Sequence, residues 1–267
     1  MASYIGLWKR ETIQIGDAAP YEDATVYWLQ SETYFADIRI PLTQPPPQDL
    51  LELEPSELLK YAQITSFAGT IEATDTWIRW HRTIDFRPDP GSVDQGEVYY
   101  QGNNLIEIGE FTVDGITKSY LEVWVPQPTD RENYLVLELV QEVNTATQTI
   151  SHPKALWVTV GEHFIRIYDN RFYPPGFVAP EPEELTLSEL KRLIQFQTDY
   201  GRSDGETPWQ ILLSNHPNRV GTSLQSKPNY RIQLEAEQLI ETWETPGGEI
   251  QYYWVIREAK GEQRYFT

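Results

Sequence analysis

Cysteine is absent from the 267 residues, which excludes disulfides and thiolate metal sites and leaves the redox compartment open. Positive charge is scarce: 21 basic residues face 40 acidic ones, for a formal charge of -19. A surface of that sign repels phosphate backbones and anionic lipid, so neither nucleic acid nor membrane is an expected partner. No run approaches the ~18 apolar residues that cross a bilayer, and the opening MASYIGLWKRE has no apolar stretch after a basic start. We therefore expect a soluble, cytoplasmic protein. The phosphate-cradling loops Gly-x-x-x-x-Gly-Lys-Ser/Thr and Gly-x-Gly-x-x-Gly are missing, and so is the nucleophile elbow Gly-x-Ser-x-Gly. His81, His152, His163 and His216 show no metal-ligand spacing, so no metal and no cofactor is expected.

Aromatic residues, by contrast, are plentiful, with nine Trp and sixteen Tyr, which suits strands and curved sheets. Residues 24–40 read as a hairpin turning near Ser31 and Glu32. Three consecutive prolines make 41–49 a loop, because proline cannot continue a ladder. A helix is expected over 57–65, capped by Ser56 and with Leu58, Leu59 and Ala62 on its apolar side. Beyond it, turn signals at Pro88-Asp89-Pro90-Gly91, Gln101-Gly102-Asn103, Asp114-Gly115 and Gln127-Pro128 punctuate a meander.

The second half repeats the first. Ser56, Glu57, Leu58, Gln63, Gly69 and Trp77 recur 132 positions later as Ser188, Glu189, Leu190, Gln195, Gly201 and Trp209. Trp28, Phe35 and Ile38 recur as Trp157, Phe164 and Ile167, and Glu122 and Trp124 recur as Glu241 and Trp243, at offsets changed by loop insertions and deletions. Two copies are too few for a solenoid, which needs about three repeats to bury its core. The expected fold is mainly β: two tandem lipocalin-like antiparallel β-barrels, over 1–145 and 146–267, each with one short α-helix. Thr186 and Glu189 form a capping box at the second helix, and the polar stretch 143–153 marks the join.

In the strand over 77–87, Trp77, Arg79, His81, Thr83 and Asp85 share one face, with Ile78, Trp80, Ile84 and Phe86 on the other, where Arg82 interrupts. The polar face meets water or lines a polar cavity. His81 and Asp85 lie roughly 13 Å apart at about 3.3 Å rise per residue, too far to share a proton. A carboxylate orienting His81 must then come from a neighbouring strand, with Asp37, Glu110 and Glu122 as candidates. The plainer reading makes His81 part of a polar ladder in the barrel wall. Asp85, Asp89, Asp94 and Glu97 lack calcium-loop spacing and read as a solvated turn. The candidate ligand-binding set is Asp37, Arg39, Trp77, Arg79, His81, Asp85, Tyr120, Glu122 and Trp124; inward-facing arginines require the carboxylates among them.

Gly6-Leu7-Trp8 is similar to the Gly-x-Trp with which many lipocalin-like barrels open. The succession Phe35-x-Asp37-x-Arg39, Trp80-His81 with Ile84-Asp85, Asp94-x-Gly96, Glu107-x-Gly109-Glu110 and Glu122-x-Trp124 resembles the fungal Hri-one family. The resemblance covers roughly 20–140. It implies two lipocalin-like barrels side by side, with internal cavities and no established chemistry. In the second half, Arg166 and Tyr168 stand where the first has Asp37 and Arg39, and Leu213 stands opposite His81, so a polar site is expected in the first unit only. The leading reading is a binding protein or adaptor that holds a small hydrophobic or amphipathic molecule in a polar cavity of the N-terminal barrel, which requires that this barrel not be packed solid with side chains. The alternatives are a small cyclase, isomerase or lyase using His81 as acid or base with Glu122, and a scaffold for a protein partner.

Overall fold

The computed structural model describes residues 4–43, 50, 53–113, 115–235 and 238–261. Eight antiparallel strands close into a barrel: β1 (Gly6–Ile15), β2 (Ala24–Gln30), β3 (Tyr34–Pro41), β4 (Thr65–Ala73), β5 (Trp77–Asp85), β6 (Asp94–Gln101), β7 (Asn104–Val113) and β8 (Ile116–Pro126). Closure runs from β8 back to β1, with Trp8 opposite Pro126 and Ile15 opposite Tyr120. The connections β2–β3, β5–β6, β6–β7 and β7–β8 fall at signals read above, and β3 and β4 are joined through the proline loop and a helix. None of those signals falls at β1–β2 or β4–β5. Asp114 and most of the proline loop, residues 44–49, lie outside the described residues.

The remaining strands form a second sheet: β9 (Tyr134–Asn144), β10 (Thr149–Ser151), β11 (Lys154–Val160), β12 (His163–Asp169), β13 (Gln197–Arg202), β14 (Gln210–Ser214), β15 (Arg231–Glu235), β16 (Gln238–Thr245) and β17 (Gly248–Lys260). Its order is β14-β13-β12-β11-β9-β17-β16-β15, with β10 beside β9. Where a second closed barrel was expected, β14 and β15 stand at opposite ends of the path. The chain between them carries Pro217 and Pro228, which cannot donate to a ladder. The two sheets part between Pro126 and Tyr134, and the stretch 143–153 lies within the second as the end of β9, a turn and β10.

Helix α1 (Pro55–Tyr61) starts one residue before the expected cap Ser56; Glu54 holds the N-cap position without a side-chain bond, and Pro55 pre-sets the first turn. Helix α2 (Leu187–Leu193) has the expected capping box, in which Glu189 accepts from the Thr186 backbone N–H at 2.8 Å.

Three layers of core result. Trp8, Trp28, Phe35, Trp80 and Trp124 fill the barrel. Trp157, Phe164, Trp209 and Trp254 fill the concave side of the second sheet. Between them, Leu29, Ala36, Ile38 and Ile40 pack on Val136, Leu156, Val158, Ile165 and Ile167. Strands β3 and β12 are thus covered on both faces, which is why they read as nearly unbroken buried runs rather than alternating ones.

One irregularity decides how β5 presents its side chains. Its pairing with β4 shifts between Ala68 and Gly69, so that Phe67 opposes Asp85 and Ala68 opposes Ile84, while Gly69 opposes Arg82. Thr83 is the extra residue of a β-bulge, and the inside and outside faces exchange there. Before it Ile78 and Trp80 point inward; after it Ile84 and Phe86 turn out into the layer between the sheets, and Asp85 turns in. Position 69 must be glycine for this: a Cβ would meet the His81 carbonyl oxygen at 1.9 Å.

Candidate functional site

The barrel interior carries a chain of ion pairs below its tryptophans. Arg10, on β1, donates from Nη1 to Glu122 at 2.5 Å and grips Glu22 with Nε and Nη2 at 2.9 Å each. Arg39 donates from Nε to Asp37 at 2.8 Å and lies 3.5 Å from Glu122. Glu107 accepts from the Tyr120 hydroxyl at 2.7 Å and from Trp124 Nε1 at 3.0 Å. At the rim Arg82 stacks 3.5 Å from the Phe67 ring centroid and donates to Asp94 at 2.6 and 2.8 Å.

Two carboxylates sit side by side in this network, because Glu107 on β7 is the register partner of Glu122 on β8. Glu122 is held by Arg10, whereas Glu107 forms no ion pair among the described residues. Burial, followed by the charge of Glu122, pushes the Glu107 carboxyl up to about 8. Burial also raises Asp37, with Arg39 opposing it. Around these side chains the free space, bordered by Trp28, Asp37, Arg39 and Glu107, amounts to about 10 Å³, room for one water and not for the ligand expected inside this barrel, because the tryptophans and the ion pairs fill it.

A far larger space lies outside the rim. A cleft of about 1110 Å³ separates β5 and the β5–β6 turn from β10, the start of β11 and residues 169–177. Trp80 and Asp94 border both this cleft and the small interior space. Lys154 reaches across from β11 to the carbonyl of Thr83 at 3.4 Å, while Phe172 (78% exposed) and Val93 (67%) leave apolar surface unpaired on opposite walls. Arg171, its side chain fully buried, is among the residues that border the cleft.

The nine expected ligand residues therefore divide. Asp37, Arg39, Tyr120, Glu122 and Trp124 meet inside the barrel. Arg79, His81 and Asp85 border the cleft, and Trp77 borders neither space. His81 projects from the outer wall, 42% exposed, with Nε2 at 3.3 Å from Glu72, across the barrel wall from Glu122. Asp37 and Glu122 are engaged by arginines, and Glu110 is exposed. In the acidic turn, Asp85 and Asp94 hold Arg82, and Asp89 accepts from the Gly91 N–H at 3.1 Å.

Arg10, Arg82, Asp94 and Glu107 are site residues that the alternation of β5 alone does not pick out. The signal was Arg82 itself: a charge interrupting an apolar face marks the point where that face leaves the core.

A family model described as Protein HRI1 matches residues 6–229, most of the chain. The chain belongs to that family. No curated protein matches it. The match takes in the whole barrel, both walls of the cleft and the second sheet as far as the turn before β15.

The second sheet's interior corrects one expectation, for it is polar as well. Arg166, standing where the first unit has Asp37, donates to both oxygens of Glu241 at 3.0 and 2.8 Å. Asp199 accepts from Arg219 at 2.8 Å and from Ser214 at 2.7 Å. In each pair a buried charge is held by an opposite charge.

Proposed function

We propose that the chain is a non-enzymatic binding protein or adaptor, working in the cytoplasm, that holds a small amphipathic molecule in the cleft where the barrel rim faces the second sheet. The observation that carries this reading is continuity: Trp80 and Asp94 border at once the cleft and the small space inside the barrel. A ligand in the cleft would thus rest on a rigid polar floor, with Phe172 and Val93 for its apolar part and Lys154, Arg82 and Arg79 for a polar group. A volume of about 1110 Å³ slightly exceeds the roughly 300–1,000 Å³ of most small-molecule sites. The barrel supplies rigidity for this role, and its packed interior fixes the rim by ion pairs.

The lipocalin-like duplication belongs to the same proposal. Helices α1 and α2 begin at Pro55 and Leu187, 132 positions apart (187 − 55). Gly69 and Gly201, equally spaced, both adjoin a register shift, and a Cβ at Gly201 would meet the Gln210 carbonyl oxygen at 2.0 Å. Ser66 donates to Thr198, again 132 positions on, at 3.1 Å across the layer between the sheets. Corresponding elements packing face to face are what a duplicated unit would give.

Native mass spectrometry of the purified protein, compared with the denatured sample, tests the reading. The expected result is a mass excess that disappears on denaturation and is reduced in Phe172→Ala and Lys154→Ala, two exposed positions whose loss leaves the cores intact. No excess, or one unchanged in both variants, overturns it.

A further inference from the structure

The closed barrel leaves no strand edge open, but the second sheet ends in two edges, β14 and β15. An edge strand presents unpaired N–H and C=O groups, and folded proteins guard such edges with proline, lysine, bulges or a covering loop. β14 is guarded. Gln210 bridges to Ser223, and Ile211 donates to the Thr222 carbonyl at 2.9 Å and accepts from the Gly221 N–H at 2.8 Å, so residues 221–223 lie along it. β15, with the sequence Arg231-Ile232-Gln233-Leu234-Glu235, is not. It contains no proline, lysine or glycine, its register with β16 runs without a shift, and all its residues but Ile232 are exposed. Among the described residues no strand or loop pairs with its outer side.

The ladder fixes which groups point outward. The Glu244 N–H turns towards the β15 side, where it donates to the Pro228 carbonyl at 3.0 Å. Alternate residues of an antiparallel strand bond to opposite sides, so Thr242, Ile240 and Gln238 bond to their register partners Arg231, Gln233 and Glu235. The backbone groups of Ile232 and Leu234 therefore point away from β16, along the open edge. Leu234 itself is 50% exposed.

The sequence of β15 is complementary to itself. Turned antiparallel about Gln233, a second β15 sets Ile232 opposite the second copy's Leu234 and Arg231 opposite its Glu235, and the two-fold axis repeats both pairs. Each Ile-Leu pair exchanges two backbone hydrogen bonds through the groups that point outward. Ile232 packs on the core, so Arg231, Gln233 and Glu235 share the other face, where the opposite charges meet across the strands. Within one copy Arg231 donates to Glu249 at 2.8 Å and Gln233 to Glu235 at 2.6 Å, each through one nitrogen, so further guanidinium donors and the second Glu235 oxygen can meet a neighbour. A shift of two residues either way would set Gln233 opposite Arg231 or Glu235 and lose both ion pairs. We infer that β15 is a self-association edge, at which a second copy of this chain adds its own β15 antiparallel about Gln233 and continues the sheet across a two-fold axis. Pairing the two edges leaves neither open, so association stops at the dimer.

Sedimentation velocity of the full chain tests this in ~0.15 M NaCl, where the formal charge of -19 on each copy is screened beyond about 8 Å. The parent is expected to pass from monomer to dimer as concentration rises, with a midpoint at or below about 100 µM. Leu234→Pro should raise that midpoint by about tenfold or more, because it removes an N–H that points outward, where proline leaves the β15–β16 ladder intact. Arg231→Glu makes all the facing groups acidic and Glu235→Arg makes them all basic, so each alone should weaken the dimer. An equimolar mixture of these two variants restores opposite charges at every pair and should associate. A parent that stays monomeric overturns the inference and leaves the edge to a strand of a different chain. A dimer untouched by Leu234→Pro, or a mixture that associates no better than its components, overturns it equally. Should Leu234→Pro fail to fold, the two charge variants and their mixture decide, since both positions are exposed.

Discussion

Arg171 joins the barrel to the second sheet, and its replacement by Met is the sharpest test of how the molecule holds together. Its side chain is fully buried. It donates to Asp169 at 2.7 and 3.0 Å, to the Asp85 and Phe86 carbonyls at 3.0 Å each, and to the Leu193 carbonyl at 3.2 Å. Phe86, Tyr173 and Phe196 surround the guanidinium at 4.8 to 5.4 Å. The carbonyls at 85 and 86 end the barrel strand just past its bulge, Asp169 ends β12, and Leu193 ends α2, so one side chain satisfies acceptors from both sheets. Methionine keeps much of the apolar stem but leaves the buried Asp169 carboxylate uncompensated and the Asp85 and Phe86 carbonyls without this donor, while the Leu193 carbonyl keeps the Phe196 N–H at 3.4 Å. Removing one partner of a buried pair costs about 3–5 kcal/mol, which for a chain of this size is roughly 10 °C in Tm. Urea unfolding followed by Trp fluorescence reads the loss. Adding Asp169→Leu to Arg171→Met should recover part of it, because the stranded charge is then gone. A loss below about 1 kcal/mol for Arg171→Met, or a double variant losing the sum of both singles, would refute the reasoning.

Other outcomes follow from the same interior. Gly69→Ala should destabilise by about 2–3 kcal/mol in the same assay, because its Cβ cannot coexist with the His81 carbonyl and the bulge must rearrange; a neutral substitution would mean that the bulge is not required. Glu107 has its carboxyl raised from 4.5 to about 8, by burial and then by Glu122, so its stabilising form is the protonated one. That contribution is complete below the unfolded value and is lost as pH climbs through about 8. Glu107→Gln cannot ionise, so its stability relative to the parent should improve between about pH 5 and pH 8.5. A gap that stays constant across that window would show that Glu107 does not titrate as its surroundings require. Together with the mass-spectrometric comparison above, these measurements address the cleft, the bulge and the barrel interior separately.

Much of the fold was legible because it depends on local pattern. The hairpin at 24–40, the turns between strands and the capping box at Thr186 are set by period-two alternation, glycine, proline and side-chain caps, all of which act within a few residues. Asp37, Arg39, Tyr120, Glu122 and Trp124 could be grouped from the sequence because inward arginines on a barrel need carboxylates, and these supplied them. Reading β5 as one regular strand failed at Thr83, since a single inserted residue reverses inside and outside, and whether a residue is inserted depends on how β4 pairs beside it. Closure was equally beyond reach: the first eight strands meet end to end, whereas β14 and β15 do not, and the difference lies in long-range register. The sequence by itself determined the strands, the turns and the stock of buried charges. Only the tertiary structure decided which of those charges face one another, because an ion pair such as Arg10 with Glu122 joins positions 112 residues apart, and no local pattern extends that far.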